Sequence, residues 1–236
     1  MTNVGMMDCK KALQATDGDM DKAVDWLREK GLAKAAKKAD RIAAEGVAYA
    51  TVIDGVGVII EVNSETDFAA KTDAFMGLVK SLSEIVAKDA PADVEALKAC
   101  TYPGTSLTVT EKMQELVMSI GENMQIRRFD RFEGNFSVPY VHAGGSHGVL
   151  VNLAVEGDID ATEIGKNVAM QIAAMNAKYW DKSLVPQADV DHELQVQVAA
   201  MDNDPKMASK PAQVKEKIAA GKIAAYFKEI CLLQQD

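Results

Sequence analysis

Val47, Tyr49, Thr51 and Ile53 alternate along one run, Asp54-Gly55 follows, and Val56 to Val62 is a second run rich in β-branched residues. An Asp-Gly pair between two such runs is the strongest local signature of an antiparallel hairpin. The two-residue turn that matches strand twist needs positive φ at both central positions, and Asp and Gly tolerate it. A second copy lies downstream, where Phe136, Val138, Tyr140 and His142 alternate, Gly144-Gly145 turns, and Gly148-Val149-Leu150-Val151-Asn152-Leu153 parallels Gly57-Val58-Ile59-Ile60-Glu61-Val62. Each returning strand leads through an acidic loop to an amphipathic helix. The first carries Phe75, Leu78, Val79, Leu82, Ile85 and Val86, and the second Ile164, Val168, Ile172 and Met175. Two copies are too few for a solenoid but enough for two related hairpin-plus-helix subdomains. Such hairpins need helices to cover an apolar face, so the expected fold class is α+β.

The rest of the chain is read around this pair. Met6, Cys9, Lys10 and Leu13 fall at helical spacing, Asp17-Gly18-Asp19 makes a turn and a cap, and Met20, Ala23, Val24 and Leu27 continue on a second helix that Gly31 is expected to end. Residues 1–31 therefore form a small helical domain. Two short helices bury little, and a third to close them has no residues ahead of Met6. Leu32 to Gly46 alternates Ala with Lys34, Lys37, Lys38 and Arg41, a mobile or helical basic linker. A core N-terminal subdomain is placed at 47–133 and a core C-terminal subdomain at 134–188. Within the first, Thr108 and Glu111 fit a capping box, and Gly121 should stop that helix before a strand begins. From Val190 the strands cease. Leu194, Val198 and Met201 face Val214, Ile218 and Phe227 across Asn203-Asp204-Pro205 and Lys210-Pro211, which reads as an antiparallel helical hairpin over 189–230, followed by a short segment at 231–236.

Composition narrows the function. A net charge of −9 argues against nucleic acid as a direct partner, because that binding rests on neutralising phosphates. Cys9, Cys100 and Cys231 are few, odd in number and widely spaced, which fits reduced thiols in a cytoplasmic protein. No apolar run of membrane length and no signal-peptide pattern is found, so no membrane partner is expected. His142 and His147 flank the Gly pair without a further ligand to complete a metal or acid–base site, and no phosphate-binding fingerprint occurs. The chain is thus expected to be no enzyme and to hold no cofactor or metal.

One stretch invites a partner: Glu61-Val62-Asn63-Ser64-Glu65-Thr66-Asp67-Phe68-Ala69-Ala70-Lys71, where the first returning strand runs into an acidic turn ending on an aromatic ring. A carboxylate and a ring at the edge of a rigid frame suit insertion into another protein. Spacing alone favours the plainer alternative, in which Asp67 caps the next helix and Phe68 packs beneath it.

Several motifs together resemble the elongation factor Ts family, the guanine nucleotide exchange factors of elongation factor Tu. They are Gly5-Met6-Met7-Asp8-Cys9-Lys10-Lys11-Ala12-Leu13, the Glu61 to Lys71 stretch, Ile120-Gly121-Glu122-Asn123 with Arg127-Arg128, Tyr140-Val141-His142, and Tyr226-Phe227-Lys228-Glu229-Ile230-Cys231-Leu232-Leu233. The resemblance implies a ubiquitin-associated-like (UBA-like) N-terminal domain, a core of two related subdomains and a projecting helical hairpin. It implies that Thr66, Asp67, Phe68 and Ala69 displace Mg²⁺ from elongation factor Tu, with Met6, Met7, Lys10 and His142 as further contacts. The family pattern has a helix before the first signature and a segment beyond Leu233, so the chain is expected to be truncated at both ends. Ala69 stands where Val is usual, and Ser146-His147 where Arg and an aliphatic are common. The implied function is a translation factor that binds elongation factor Tu–GDP and promotes GDP release. The alternative from another class is a protein-interaction adaptor whose N-terminal helices do the binding.

Overall fold

Met6–Ala15 (α1) and Met20–Lys38 (α2) open the chain in the computed structural model, which describes residues 5–236; the expectation about a helix ahead of the first signature concerns Met1–Val4, outside the described residues. Asp19 caps α2 by accepting the Lys22 N–H at 3.1 Å. Ala12, Ala23 and Leu27 form a small core between the two helices. The expected stop at Gly31 is not there: α2 runs on to Lys38, and only residues 39–44 remain as connector. Gly31 lies inside the helix instead of ending it. A Cβ at this position would stand 1.9 Å from Sδ of Met118, so the Met118 side chain would have to move aside to admit one.

Glu45–Ile53 (β1) and Val56–Ser64 (β2) pair in antiparallel register from Ile53↔Val56 to Glu45↔Ser64. Asp54 and Gly55 both take positive φ, 51° and 81°, as the two-residue turn requires. After β2 come a single helical turn, Asp67–Ala70 (α3), and the long helix Asp73–Asp89 (α4), capped by Thr72. Val94–Ala99 (α5) and Val109–Ile120 (α6) follow. α6 opens on the capping box of Thr108 and Glu111 and ends at Gly121, whose φ of 89° supplies the left-handed stop. Met124–Phe132 (β3) then returns along β2, with a register shift at Glu61/Val62. Val58, Ile60 and Val62 face Phe75, Leu78, Val79, Leu82 and Val86 of α4 in one buried cluster. Each such fully buried aliphatic or aromatic side chain contributes roughly 1.5–3 kcal/mol relative to exposure.

Phe136–His142 (β4) and His147–Leu153 (β5) make the second hairpin, in register from Phe136↔Leu153 to His142↔His147. It packs on the first, with the Ala48 N–H donating to the Gly145 carbonyl at 2.8 Å. Thr162–Met175 (α7) is the helix that follows, but its buried residues are Gly165 and Ala169, while Ile164 and Met175 are exposed. The expected stripe is covered only in part, with Val168 and Ile172 half-buried. A Cβ at Gly165 would meet Val138 Cγ2 at 2.4 Å, so small residues carry the approach to β4. Among the described residues the two hairpin units also differ in that β2 has β3 on its far side, whereas β5 pairs with β4 alone.

The chain divides after Ala169 into two compact units. In the second, Gln187–Asn203 (α8) and Ala212–Ile230 (α10) are joined through the turn Pro205–Ala208 (α9). Val190 near the start of α8 packs with Tyr226 and Phe227 near the end of α10, and Asp202 pairs with Lys215 at 2.7 Å, so the helices run antiparallel as expected. Met201 and Ala219 are buried between them, but Leu194, Val198 and Val214 remain more than a third exposed. The last residues are tied down: Cys231 is buried and bridges Tyr179 in parallel, and Gln234 donates to Asp181 at 2.9 Å. Among the described residues no helix is long and apolar enough to cross a membrane.

Candidate functional site: a braced turn with an exposed phenylalanine

Thr66, not Asp67, caps α3. Its backbone is extended, and its hydroxyl oxygen accepts the Ala69 N–H at 3.3 Å. Asp67 is the first helical residue. Phe68 does not pack beneath the turn either; it is 80% exposed. Ala69 and Ala70 are both buried, and in a turn of 3.6 residues their inward direction sends Phe68 out to solvent. The expectation from spacing is corrected on both points. A single turn has no room to offset the cost of nucleating a helix, so its geometry depends on what surrounds it.

What surrounds it comes from the segment between α6 and β3. The Thr66 N–H donates to Glu122 Oε2 at 2.9 Å, and the Thr66 hydroxyl donates to Glu122 Oε1 at 2.7 Å. One residue earlier the exchange runs the other way, with the Asn123 N–H donating to Glu65 Oε1 at 2.7 Å. Asn123 is buried, and its amide group donates to the carbonyls of Arg41 at 2.9 Å and Ala39 at 3.3 Å. Arg41 pairs with Glu65 at 3.4 Å, the Ser64 hydroxyl donates to the Thr66 carbonyl at 2.9 Å, and Lys38 reaches the Gly121 carbonyl. The backbone bond from Asn123, with Arg41 close by, holds the Glu65 carboxyl below its usual range. Asp67 is likewise lowered, first by the hydrogen bond from Lys71, whose ammonium lies 2.6 Å from Oδ2.

Beside Phe68 lies an open groove of about 540 Å³, lined by Phe68, Ala69 and Thr72 on one side and by Lys112, Leu116 and Glu122 on the other. The ring and the groove thus share one surface, and the Asp67 carboxylate on the preceding residue is half-exposed. Met6 and Lys10 line a separate, shallower hollow on α1 with Cys9 and Leu13; Met7 is also exposed. His142 is exposed at the end of β4, its Nδ1 2.9 Å from the Tyr140 hydroxyl and its ring edge-on to His147. The site residues are therefore not one cluster. Thr66 to Ala69 belong to the braced turn, and the others stand on different elements.

Glu65, Glu122 and Asn123 carry no separate role in the sequence motifs, yet strand register holds a signal for them. Ser64↔Met124 is the last pair of the β2–β3 ladder. Continuing that antiparallel register by one and two residues sets Glu65 opposite Asn123 and Thr66 opposite Glu122. Pairing the strand after Gly121 with Val56 to Val62 is enough to bring them together.

With this geometry in place, a family model described as "Elongation factor TS" matches residues 65–236. A protein of Paramagnetospirillum magneticum is 45% identical over 242 residues, covering 99% of this chain and 76% of the relative. Proteins of Magnetococcus marinus and Syntrophotalea carbinolica are 41% and 44% identical, each covering 99% of this chain and 77% of their own length. All three carry the name Elongation factor Ts.

Proposed function

We propose, starting from the fact that this chain belongs to the elongation factor Ts family, that it is the non-enzymatic guanine nucleotide exchange factor of an elongation factor Tu. The relatives support a translation elongation factor, and the finer proposal concerns how it acts. It binds elongation factor Tu–GDP in the cytoplasm, disturbs the partner's Mg²⁺ and phosphate contacts, and lets GDP leave. The observation that carries this is Phe68, a large ring 80% exposed on a turn whose backbone is held by three side-chain hydrogen bonds, from Ser64, Glu122 and Thr66, with two more bracing the side chains of Thr66 and Glu65.

Exposing such a ring gains nothing in the isolated chain, whereas seating it in a pocket of a partner removes its apolar surface from water. The bracing lowers the ordering cost of that step, since the turn is already fixed. Asp67 precedes the ring in the chain, and its carboxylate is half-exposed. Its ion pair with Lys71 is exposed and weak, so the carboxylate can exchange that partner for groups around a bound cation or phosphate. By linkage, a factor that weakens GDP binding must itself prefer the nucleotide-free partner by the same ratio, and a thousandfold loosening corresponds to about 4 kcal/mol of differential contact. Met6, Met7, Lys10 and His142 are proposed to supply peripheral contacts. The UBA-like character of α1–α2, the two related subdomains of the core and the projecting α8–α10 hairpin are proposed on the same family ground.

The test is release of fluorescently labelled GDP from elongation factor Tu. Acceleration by this chain is expected. A release rate equal to the spontaneous one, with the chain folded and in excess, would remove the proposal and leave a binding adaptor in its place.

A further inference from the structure

Two dipeptides face each other across the end of the β2–β3 ladder, and each lends a carboxylate to the other's backbone. Glu122 takes the Thr66 N–H, and Glu65 takes the Asn123 N–H. Glu122 also takes the Thr66 hydroxyl proton. An ionised carboxylate only accepts, so the hydroxyl hydrogen is held toward Glu122 and the oxygen lone pairs are left facing α3. One of them receives the Ala69 N–H. The rotor that caps the turn is therefore set from outside the turn.

We infer that Glu122 is a positioning residue for exchange: it acts through Thr66, by fixing the cap and hence the direction of Phe68. This rests on the proposed exchange function. Charge-assisted bonds to a backbone N–H and a hydroxyl, made together by one side chain, are among the stronger hydrogen bonds in proteins. Here they stabilise a four-residue turn that is too short to hold itself. Asn123 anchors the same brace to the chain leaving α2, because its amide group binds the carbonyls of Ala39 and Arg41 while its N–H binds Glu65. Glu122 also borders the groove beside Phe68, so an alternative role is direct contact with the partner. The two roles differ in whether the effect of Glu122 needs the ring.

The experiment is a double-mutant cycle with Glu122→Gln, Phe68→Ala and the double variant, read as the rate of labelled GDP release from elongation factor Tu. Gln keeps the shape but loses one acceptor and turns an NH₂ group toward Thr66. We expect Glu122→Gln to slow release about tenfold in the presence of Phe68 and less than about twofold in its absence, the mark of two residues acting as one unit. A wild-type rate, or an equal loss on both backgrounds, overturns the inference. Hydrogen exchange on the isolated chain tests it without the partner: the Thr66 and Ala69 amides should exchange at least about tenfold faster in Glu122→Gln, with Val58 and Ile60 unchanged. Unchanged protection at Thr66 and Ala69 overturns it too. Should Glu122→Gln fail to fold, Thr66→Val removes the same hydroxyl contact and is read by the same cycle. If the wild-type chain does not accelerate release, the exchange function fails, and the amide measurement alone still decides whether Glu122 sets the turn.

Discussion

Gly148 lies so close to Ala48 that a Cβ added there would stand 2.8 Å from the Ala48 carbonyl oxygen and 2.9 Å from its carbon. The obstacle is backbone in the first sheet, so neither partner can turn aside. Gly148→Ala should therefore push the β4–β5 hairpin off β1 and destabilise the fold by about 1–3 kcal/mol, the usual range for overpacking. Gly77 gives the contrast, since it sits exposed inside α4 with nothing within 4 Å of an added Cβ. There Gly77→Ala should raise stability by up to about 1 kcal/mol through helix propensity. Urea unfolding of the two variants should move the midpoint in opposite directions; a shared direction would contradict the packing described.

The N-terminal helices should show a gradient of protection. Among the described residues their buried core is Ala12, Ala23 and Leu27, with Cys9, Leu13 and Trp26 partly buried against it, whereas a large cluster surrounds β2 and α4. The second half of α2 has further support from Gly31 against Met118 and from the Arg28–Glu111 pair at 3.3 Å. Local opening is governed by such contacts. Amides of α1 should exchange fastest, those around Gly31 more slowly, and those of Val58 and Ile60 most slowly. Equal protection in α1 and β2 would show that the small cluster holds as well as the main core.

Much of this architecture was legible because its determinants are local. Asp54-Gly55, the Thr108/Glu111 box and Gly121 each fix a turn or a helix end with groups a few residues apart, and all three stand as read. Gly31 is no helix stop; it lies inside α2 against Met118, a neighbour 87 residues away that local sequence does not reveal. The stripe on α7 is legible only in part: Val168 and Ile172 are half-buried, but the approach to Val138 is made by Gly165, which apolar spacing does not mark. Phe68 shows the limit for the site. Whether an aromatic residue at a strand–helix junction points in or out depends on which neighbours fill the space below, and Ala69 and Ala70 fill it here.

Asp181 offers a pH prediction within the second unit. It accepts the Ser183 N–H at 2.9 Å and a bond from Gln234 at 2.9 Å, and these hold its carboxyl, first through Ser183, at about 2 against an ordinary 3.8. A depressed folded value means that the stabilisation is fully present above the ordinary value and is lost as pH falls toward the folded one. Protection of the Leu232 and Gln234 amides should thus persist from neutral pH to about 4 and fall as pH approaches 2. In Asp181→Asn this acid-dependent step should disappear. Its survival there would assign the step to another carboxylate.

Phe68 and Asp67 can be separated by measuring stability and exchange on the same samples. Phe68 is 80% exposed, so its truncation removes almost no buried contact, and Phe68→Ala should melt at the wild-type temperature. If the ring is seated in a pocket of elongation factor Tu, the lost contact is on the order of 2–4 kcal/mol, and GDP release should slow by roughly 30- to 1000-fold. Asp67→Ala should slow release less, because a half-exposed carboxylate already paired with Lys71 contributes only the difference between two polar partners. Lys71 also sets the pH response. Its hydrogen bond holds Asp67 below the ordinary 3.8, so the carboxylate is ionised throughout the neutral range, and Asp67 adds no pH dependence to exchange between about pH 5 and 8. Loss of melting temperature in Phe68→Ala would put the ring back into the core. A variant that melts normally and still exchanges at the wild-type rate would move the partner contact to another surface of the chain.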